Sequence, residues 1–172
     1  LTLVHLLSFA TNAAVMEGGE GEKLQRKHNA TNVVILLADN LAYDDVGIFR
    51  GSHGMGGGSN GKKSKSKTPN LDRAAMEGRR LLNWNSPAVL CSASRAALLT
   101  GKYPVRTGIY PRVFEQDAVN GLLHTETTLA DILLAQGYST KIVGKWHLGQ
   151  RPEYLPTKRG FEEWFGIPYH MS

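Results

Sequence analysis

Apolar runs alternate with polar and glycine-rich stretches along this chain of 172 residues. Residues 33–38, VVILLA, are continuously apolar and β-branched at their start, which predicts a buried parallel strand. Asp39 and Asn40 mark the end of this strand. Residues 80–85 and 138–144 predict two further strands.

Three helices are predicted between and after these strands. Residues 71–78 form a short helix for which Asn70 is the predicted cap, and residues 92–100 are rich in alanine and leucine and stop at Gly101. The third helix covers residues 127–136, with Thr127 as cap and Gly137 as terminator. This order of strands and helices is typical of an α/β fold with a doubly wound, mostly parallel sheet.

The N-terminal region and one internal segment differ in composition from the rest. Residues 1–15 are apolar and end in small residues, which predicts the remnant of a signal peptide, or alternatively a buried or frayed segment. They are too few to span a bilayer, so no stable membrane insertion is expected. Residues 16–31 are polar and include an Asn29-Ala30-Thr31 glycosylation triplet, which matters only in an exported chain. Residues 51–67, GSHGMGGGSNGKKSKSK, predict a flexible surface insertion.

The positive charge of the chain is local. The formal net charge is +5, and four lysines lie in the insertion, at positions 62, 63, 65 and 67. This tract has no interleaved aromatic residues and no recognition module, so nucleic acid is not an expected partner. The single cysteine, Cys91, excludes an intramolecular disulfide.

Polar residues at strand ends are the first candidates for function, because ligands of open parallel sheets bind beyond the carboxyl ends of the strands. Asp39 and Asn40 supply adjacent oxygens for a hard cation, and the alternative is that Asp39 caps the following turn. Lys145 and His147 would point the same way if the third strand continued through them, and this pair suits an anionic substrate. The alternative is a solvated loop in which only Trp146 packs.

The third candidate is the start of the helix at Cys91. A cysteine there lies at the positive helix end, and Arg95 follows one turn later on nearly the same face. A nucleophile, an anion-binding helix end and a guanidinium would then converge. The alternative is a half-buried structural cysteine.

Several motifs of this chain resemble those of the sulfatase family, in its arylsulfatase-like branch. Residues 91–102 read CSASRAALLTGK, close to the family's Cys-x-Pro-Ser-Arg hallmark and its Leu-Thr-Gly element, and residues 137–149 read GYSTKIVGKWHLG, its second signature. LLADN, TPNLD and GFEEWFGIPY match further family segments. Three ordered motifs at compatible spacing are far more specific than one.

The resemblance implies a fold of the alkaline-phosphatase/sulfatase type, with residues 32–172 as the N-terminal part of the catalytic domain. It implies a sulfuric ester hydrolase in which a formylglycine-generating enzyme oxidises Cys91. The hydrated aldehyde would attack sulfur, with Arg95 and His147 holding the diol and Lys145 binding a sulfate oxygen. Asp39, Asn40 and the modified Cys91 would ligate one Ca²⁺.

This sequence departs from the family pattern at two positions and in its extent. Ala93 replaces the usual proline, and Asn40 replaces a second aspartate, which removes one negative charge from the calcium ligands. The chain ends before the family's later Asp-Asn pair, so we expect it to be a fragment that is inactive alone.

The alternatives are a truncated or degenerate non-catalytic protein and a phosphodiesterase of the same superfamily. The expected substrate is a sulfated small molecule or glycan, and the expected location is secreted or lysosomal.

Overall fold

The computed structural model describes residues 31–49 and 68–170. They belong to two compact units, of which the first contains residues 31–49 and 68–86 and the second residues 87–170. The predicted signal remnant, the Asn29 side chain and the predicted insertion at residues 51–67 lie outside the described residues.

Within the described residues the chain forms four α-helices, two strands and four 3-10 turns. The helices are α1 (Pro69–Glu77), α2 (Cys91–Thr100), α3 (Pro104–Thr107) and α4 (Leu129–Ala135). The strands are β1 (Lys141–Val143) and β2 (Glu163–Phe165), and the turns are Tyr43–Asp45, Gly47–Phe49, Pro152–Tyr154 and Pro156–Lys158. The two strands are parallel, so the fold is α/β as predicted. No helix in these two ranges of residues is both long and apolar enough to cross a membrane.

The first unit is organised around the start of α1. Asp72 accepts hydrogen bonds through Oδ1 from the Ile48 amide at 2.9 Å and from the Thr68 hydroxyl at 2.9 Å. The Thr68 hydroxyl in turn accepts one from the Gly47 amide at 2.7 Å. Asn70 is not the cap that we predicted, because the helix already begins at Pro69. The Thr-Pro-Asn-Leu-Asp motif therefore fixes the turns that follow Asp39 and Asn40.

The predicted buried strand at residues 33–38 is wrong in the described structure. Only Leu36 forms a strand-like bridge, and Val33, Val34 and Leu36 are 43%, 45% and 52% exposed. A buried parallel strand needs hydrogen-bonded neighbours and cover on both faces. Apart from the bridge at Leu36, residues 33–38 form no strand pairing in the described structure, and their cover is only partial.

The predicted strand at residues 80–85 is also wrong. The chain turns at Leu82 and Asn83, and Leu81 and Leu82 are both nearly half exposed. The Asn85 side chain donates to the Asn83 carbonyl at 3.3 Å. Asparagine side chains compete in this way with strand pairing, so the local sequence favours a turn.

The second unit has its core between α2 and the segment after β1. Ala96, Ile109, Leu122, Trp146 and Leu148 form one buried cluster. Helix α2 presents small residues to it, since Ala93, Ala96 and Ala97 are almost fully buried. Its end at Gly101, with φ of 67°, confirms the predicted stop in a left-handed conformation that glycine adopts readily.

Helix α4 and strand β1 both deviate from their predicted limits. Thr128, not Thr127, is the N-cap: its hydroxyl accepts from the Asp131 amide at 3.1 Å, and the Asp131 carboxylate accepts from the Thr128 amide at 2.8 Å. Strand β1 covers only residues 141–143 of the predicted 138–144. Strand β2, its parallel partner, was not predicted.

Candidate active site

Cys91 is the first residue of α2, one residue before the predicted start of this helix at Ser92. The preceding residue, Leu90, has extended backbone angles, and its carbonyl accepts the first helical hydrogen bond from the Ser94 amide at 3.1 Å. The amides of a first helical turn have no partners within the helix, so they attract negative charge. The half-buried Cys91 side chain thus lies at the end of a ten-residue helix that favours anions.

Arg95 lies one turn further along α2 and contacts the segment after β1. Its Nη1 donates a hydrogen bond to the Lys145 carbonyl at 2.5 Å. This contact joins two residues that are fifty positions apart in the sequence. The structure therefore brings the guanidinium of the first motif to the backbone of the second motif.

His147 is also connected to the start of α2, through the backbone of Phe114. The Phe114 amide donates to the hydroxyl of Ser92 at 3.2 Å, and its carbonyl lies 2.9 Å from His147 Nε2. A carbonyl only accepts, so His147 carries its proton on Nε2 and leaves Nδ1 as an acceptor. Nδ1 is buried and has no hydrogen-bond partner among the described residues.

The charge state of His147 follows from its surroundings. Its side chain is buried, and burial is the main cause that lowers its pKa from 6.5 to about 4. The hydrogen bond to Phe114 opposes this shift, while the positive charges of Lys145, His170 and Arg95 add to it. His147 is therefore neutral near pH 7 and offers a lone pair rather than a charge.

The predicted geometry of Lys145 and His147 on a continuing strand is wrong. Strand β1 ends at Val143, and His147 has a positive φ of 60°, an uncommon conformation for a residue with a side chain. The backbone is held instead by amides that donate to carbonyls of the segment after β2, including Trp146 to Ile167 and His147 to Pro168, both at 2.9 Å. Backbone pairing across these two segments, rather than strand alternation, therefore positions His147.

Asp39 and Asn40 belong to the first unit, and the other four predicted site residues belong to the second. Both side chains are exposed in a turn. Carboxylate and amide oxygens suit calcium in kind, but calcium takes about six to eight ligands. No group of three acidic, histidine or cysteine side chains within residues 31–49 and 68–170 is arranged to hold a metal ion.

Three residues near His147 were missed by the sequence analysis. Ser92 and Phe114 connect it to α2, and the ring of His170 lies 5.3 Å from the His147 ring. Ser92 directly follows the candidate cysteine, and this position was the only sign in the sequence that Ser92 belongs to the site. Phe114 and His170 are distant in sequence, and no local pattern identifies them.

We expect the stability of the folded protein to decrease in acid because of His147. Between about pH 6.5 and about 4 the unfolded imidazole binds a proton that the folded one does not. The free energy of unfolding should therefore fall as the pH falls through this window. Urea unfolding at several pH values measures it, and His147→Gln should weaken the dependence. An equal dependence in the variant would contradict this assignment.

The chain is similar in sequence to several known proteins. The sulfatase family model matches residues 31–171. Arylsulfatase A of Bos taurus is 48% identical over 140 residues, which are 80% of this chain and 25% of that protein. N-acetylgalactosamine-6-sulfatase of Mus musculus is 43% identical over 144 residues, again 80% of this chain and 25% of the relative.

A solved structure shows the same relationship at the level of the fold. The crystal structure of Ps i-CgsB superposes with a TM-score of 0.62 and 34% identity, over 74% of this chain and 26% of that one. The chain spans about a quarter of the length of the curated relatives that it matches. Its short parallel sheet and helices form an incomplete α/β fold of the same type. On its motifs, its fold and these matches, this chain belongs to the sulfatase family.

Proposed function

We propose that this chain supplies the nucleophile and anion-binding groups of a sulfate-ester hydrolase. The observation that carries this proposal is the set of hydrogen bonds that join α2, the helix that begins at Cys91, to Lys145 and His147. Arg95 is fixed by the Lys145 carbonyl, and His147 is connected to α2 through Phe114 and Ser92. Membership of the sulfatase family supports the reaction class.

Each side chain has a role that its environment supports. Cys91 is the precursor of formylglycine, and a formylglycine-generating enzyme is the partner that converts it. The guanidinium of Arg95 offsets the negative charge at the start of α2, and Lys145 binds a sulfate oxygen. Neutral His147 accepts a hydrogen bond on Nδ1 from a hydroxyl of the hydrated side chain, because Nε2 is already used by Phe114.

We propose that Asp39 and Asn40 are the calcium ligands that the first unit supplies. Their exposed oxygens fit a hard cation, although Asn40 contributes no charge. When bound, calcium would polarise the nucleophile and the sulfate oxygens. Two side chains supply only part of its coordination, so we propose that this chain alone is inactive.

The relatives favour certain substrates and a location. Their names include an arylsulfatase and an N-acetylgalactosamine-6-sulfatase, and Ps i-CgsB was also solved in complex with k-i-k-neocarrahexaose. We therefore propose a sulfated glycan or small molecule as substrate. From the predicted signal remnant and the family resemblance, we also propose a secreted or lysosomal location.

One observation favours a second candidate, a sulfatase-like protein without catalytic activity. Asn40 lowers the negative charge available to a cation, and lower ligand charge weakens calcium binding. Such a protein would keep the anion-binding groups around α2 but would not turn over substrate.

Turnover of an aryl sulfate tests the proposal. A polypeptide that contains this chain, produced together with the generating enzyme, should hydrolyse the ester in the presence of calcium and prefer it to the matched aryl phosphate. Cys91→Ala should lower the rate by about a thousandfold or more, because the nucleophile is removed.

The 172-residue chain by itself should show no turnover. Calcium-dependent turnover by the Cys91→Ala variant, or a preference for the phosphate ester, would contradict the proposal. Sulfate binding without turnover in the longer polypeptide would favour the non-catalytic candidate.

A further inference from the structure

The stretch of chain that follows α2 carries positive charge and no negative charge. Residues 102–114 contain three cationic side chains and no aspartate or glutamate. The ammonium group of Lys102 pairs with the Glu126 carboxylate at 2.7 Å. Arg106 and Arg112 are exposed and form no ion pair with any residue that the structure describes. Two guanidinium groups of this stretch are therefore available to an anion from outside the chain.

The same stretch exposes two aromatic rings. Tyr103 and Tyr110 are 73% and 67% exposed. Tyrosine and arginine are enriched where proteins bind partners, because the ring offers apolar contact area and the guanidinium binds an oxyanion through two N–H groups. We call Tyr103, Arg106, Tyr110 and Arg112 the Tyr-Arg surface. Its composition fits a ligand that has both anionic groups and apolar faces.

The backbone beneath the Tyr-Arg surface is fixed by buried neighbours. Pro104, Thr107 and Ile109 are buried, and Ile109 belongs to the core cluster of the second unit. The Thr107 hydroxyl donates to the Pro104 carbonyl at 2.9 Å and accepts from the Ile109 amide at 3.4 Å. Buried residues thus anchor the stretch between the exposed ones. A ligand of the Tyr-Arg surface would therefore meet a backbone that is already ordered, which lowers the entropy cost of binding.

One end of the Tyr-Arg surface is close to the candidate active site. Phe114 follows Arg112 by two residues, and its amide and carbonyl contact Ser92 and His147. Two residues span at most about 7 Å, so the backbone of Arg112 lies within that distance of the backbone of Phe114. The surface is therefore placed to contact parts of a ligand that extend beyond a sulfate group bound at the site.

We propose that the Tyr-Arg surface binds a sulfated glycan chain, at sugar units beyond the one whose ester reacts. The inference rests on the proposed function and narrows its substrate class from sulfate esters in general to a polyanionic glycan. The arginines pair with sulfate groups of the glycan, and the tyrosine rings pack against the apolar faces of its sugars. Single-stranded nucleic acid also binds rings and cations, but the short distance from Arg112 to the candidate site favours the glycan.

Binding of a dextran sulfate oligosaccharide to the 172-residue chain tests this proposal, with unsulfated dextran as the reference ligand. At constant ionic strength, the double variant Arg106→Gln and Arg112→Gln should bind about fivefold more weakly or less tightly still, because two charged contacts are lost. The matched control, Lys63→Gln with Lys65→Gln, removes the same charge from the lysine-rich segment and should change the affinity less than about twofold. Equal losses in the two double variants would overturn the proposal.

Two further measurements separate the glycan from other polyanions. Tyr103→Leu should weaken binding of dextran sulfate and Tyr103→Phe should not, because the ring rather than the hydroxyl makes the contact. Oligouridylate of equal charge should bind more weakly than dextran sulfate at the same salt concentration. Tighter binding of oligouridylate would contradict the choice of a glycan. The resonance of the Trp146 indole N–H reports that each variant remains folded.

Turnover distinguishes a failure of this inference from a failure of the proposed function. In a longer polypeptide that contains this chain, the double variant of Arg106 and Arg112 should raise KM for a sulfated oligosaccharide. Its turnover of an aryl sulfate should be unchanged, because that ester has no further sugars. An unchanged KM for the oligosaccharide would refute the glycan surface and leave the hydrolase proposal intact. If Cys91 is never converted but glycan binding depends on the two arginines, the hydrolase proposal fails and the surface stands.

Discussion

Trp146→Ala is expected to lower the free energy of unfolding of the second unit by about 3–5 kcal/mol. The indole is 1% exposed and belongs to the buried cluster with Ala96 and Leu122. The Trp146 and Phe161 rings pack edge-on, with their centroids 6.2 Å apart. The Trp146 Nε1 donates a hydrogen bond to the Tyr154 carbonyl at 2.9 Å. Truncation would leave a cavity and remove the partner of that carbonyl.

The same substitution should also disturb the candidate site. Trp146 lies between Lys145 and His147, whose backbone positions depend on pairing with the segment after β2. Urea unfolding measures the loss, with Tyr103→Ala as the control, because Tyr103 is 73% exposed and should change stability by less than about 0.5 kcal/mol. Similar losses in the two variants would show that Trp146 has no special structural role.

The helices of this chain were largely predictable from sequence. Residues 92–100 have strong helix formers and a terminal glycine, and α2 follows this pattern with one more residue at its start. For α4, the predicted cap was Thr127, but reciprocal hydrogen bonds with Asp131 make Thr128 the cap. Local chemistry thus predicted α1, α2 and α4 to within two residues at each end, whereas α3 was not predicted.

The strands were predicted less well, because pairing depends on distant residues. Residues 33–38 have the composition of a buried strand, but several of them are exposed in the described structure. The short strand β2 exists because it pairs with β1, which lies about twenty residues earlier in the sequence. Burial depends on what covers a segment, and periodicity carries no such information. Of the three predicted strands, only the one at residues 138–144 was confirmed, and only in part.

The chemistry of the site was visible in the sequence, but its geometry was not. Motifs identified Cys91, Arg95, Lys145 and His147, and the structure connects the first pair to the second through the Lys145 and Phe114 carbonyls. The expected strand alternation at His147 was wrong because β1 ends earlier. The contact between His170 and Glu115 joins residues 55 positions apart in the sequence, so no local motif could have indicated it. The roles of all these residues stay predictions.

Conversion of Cys91 is the second large effect that we expect, since the proposed chemistry requires it. Ser92 and Ala93 are 0% and 1% exposed, so we expect the proposed modifying enzyme to act before the chain folds. We therefore expect conversion only when the generating enzyme is present during synthesis. Ala93→Pro restores the usual residue of the motif and should increase the converted fraction, whereas Cys91→Ala should show no conversion.

Mass spectrometry of the peptide that contains Cys91 tests the central claim most directly. In chain produced together with the generating enzyme, formylglycine appears as the loss of H₂S and the gain of one oxygen at this residue. We expect that mass in the unmodified sequence and a larger proportion of it in Ala93→Pro. An intact thiol at Cys91 in both proteins would contradict the assignment of this residue as the precursor of a sulfatase nucleophile.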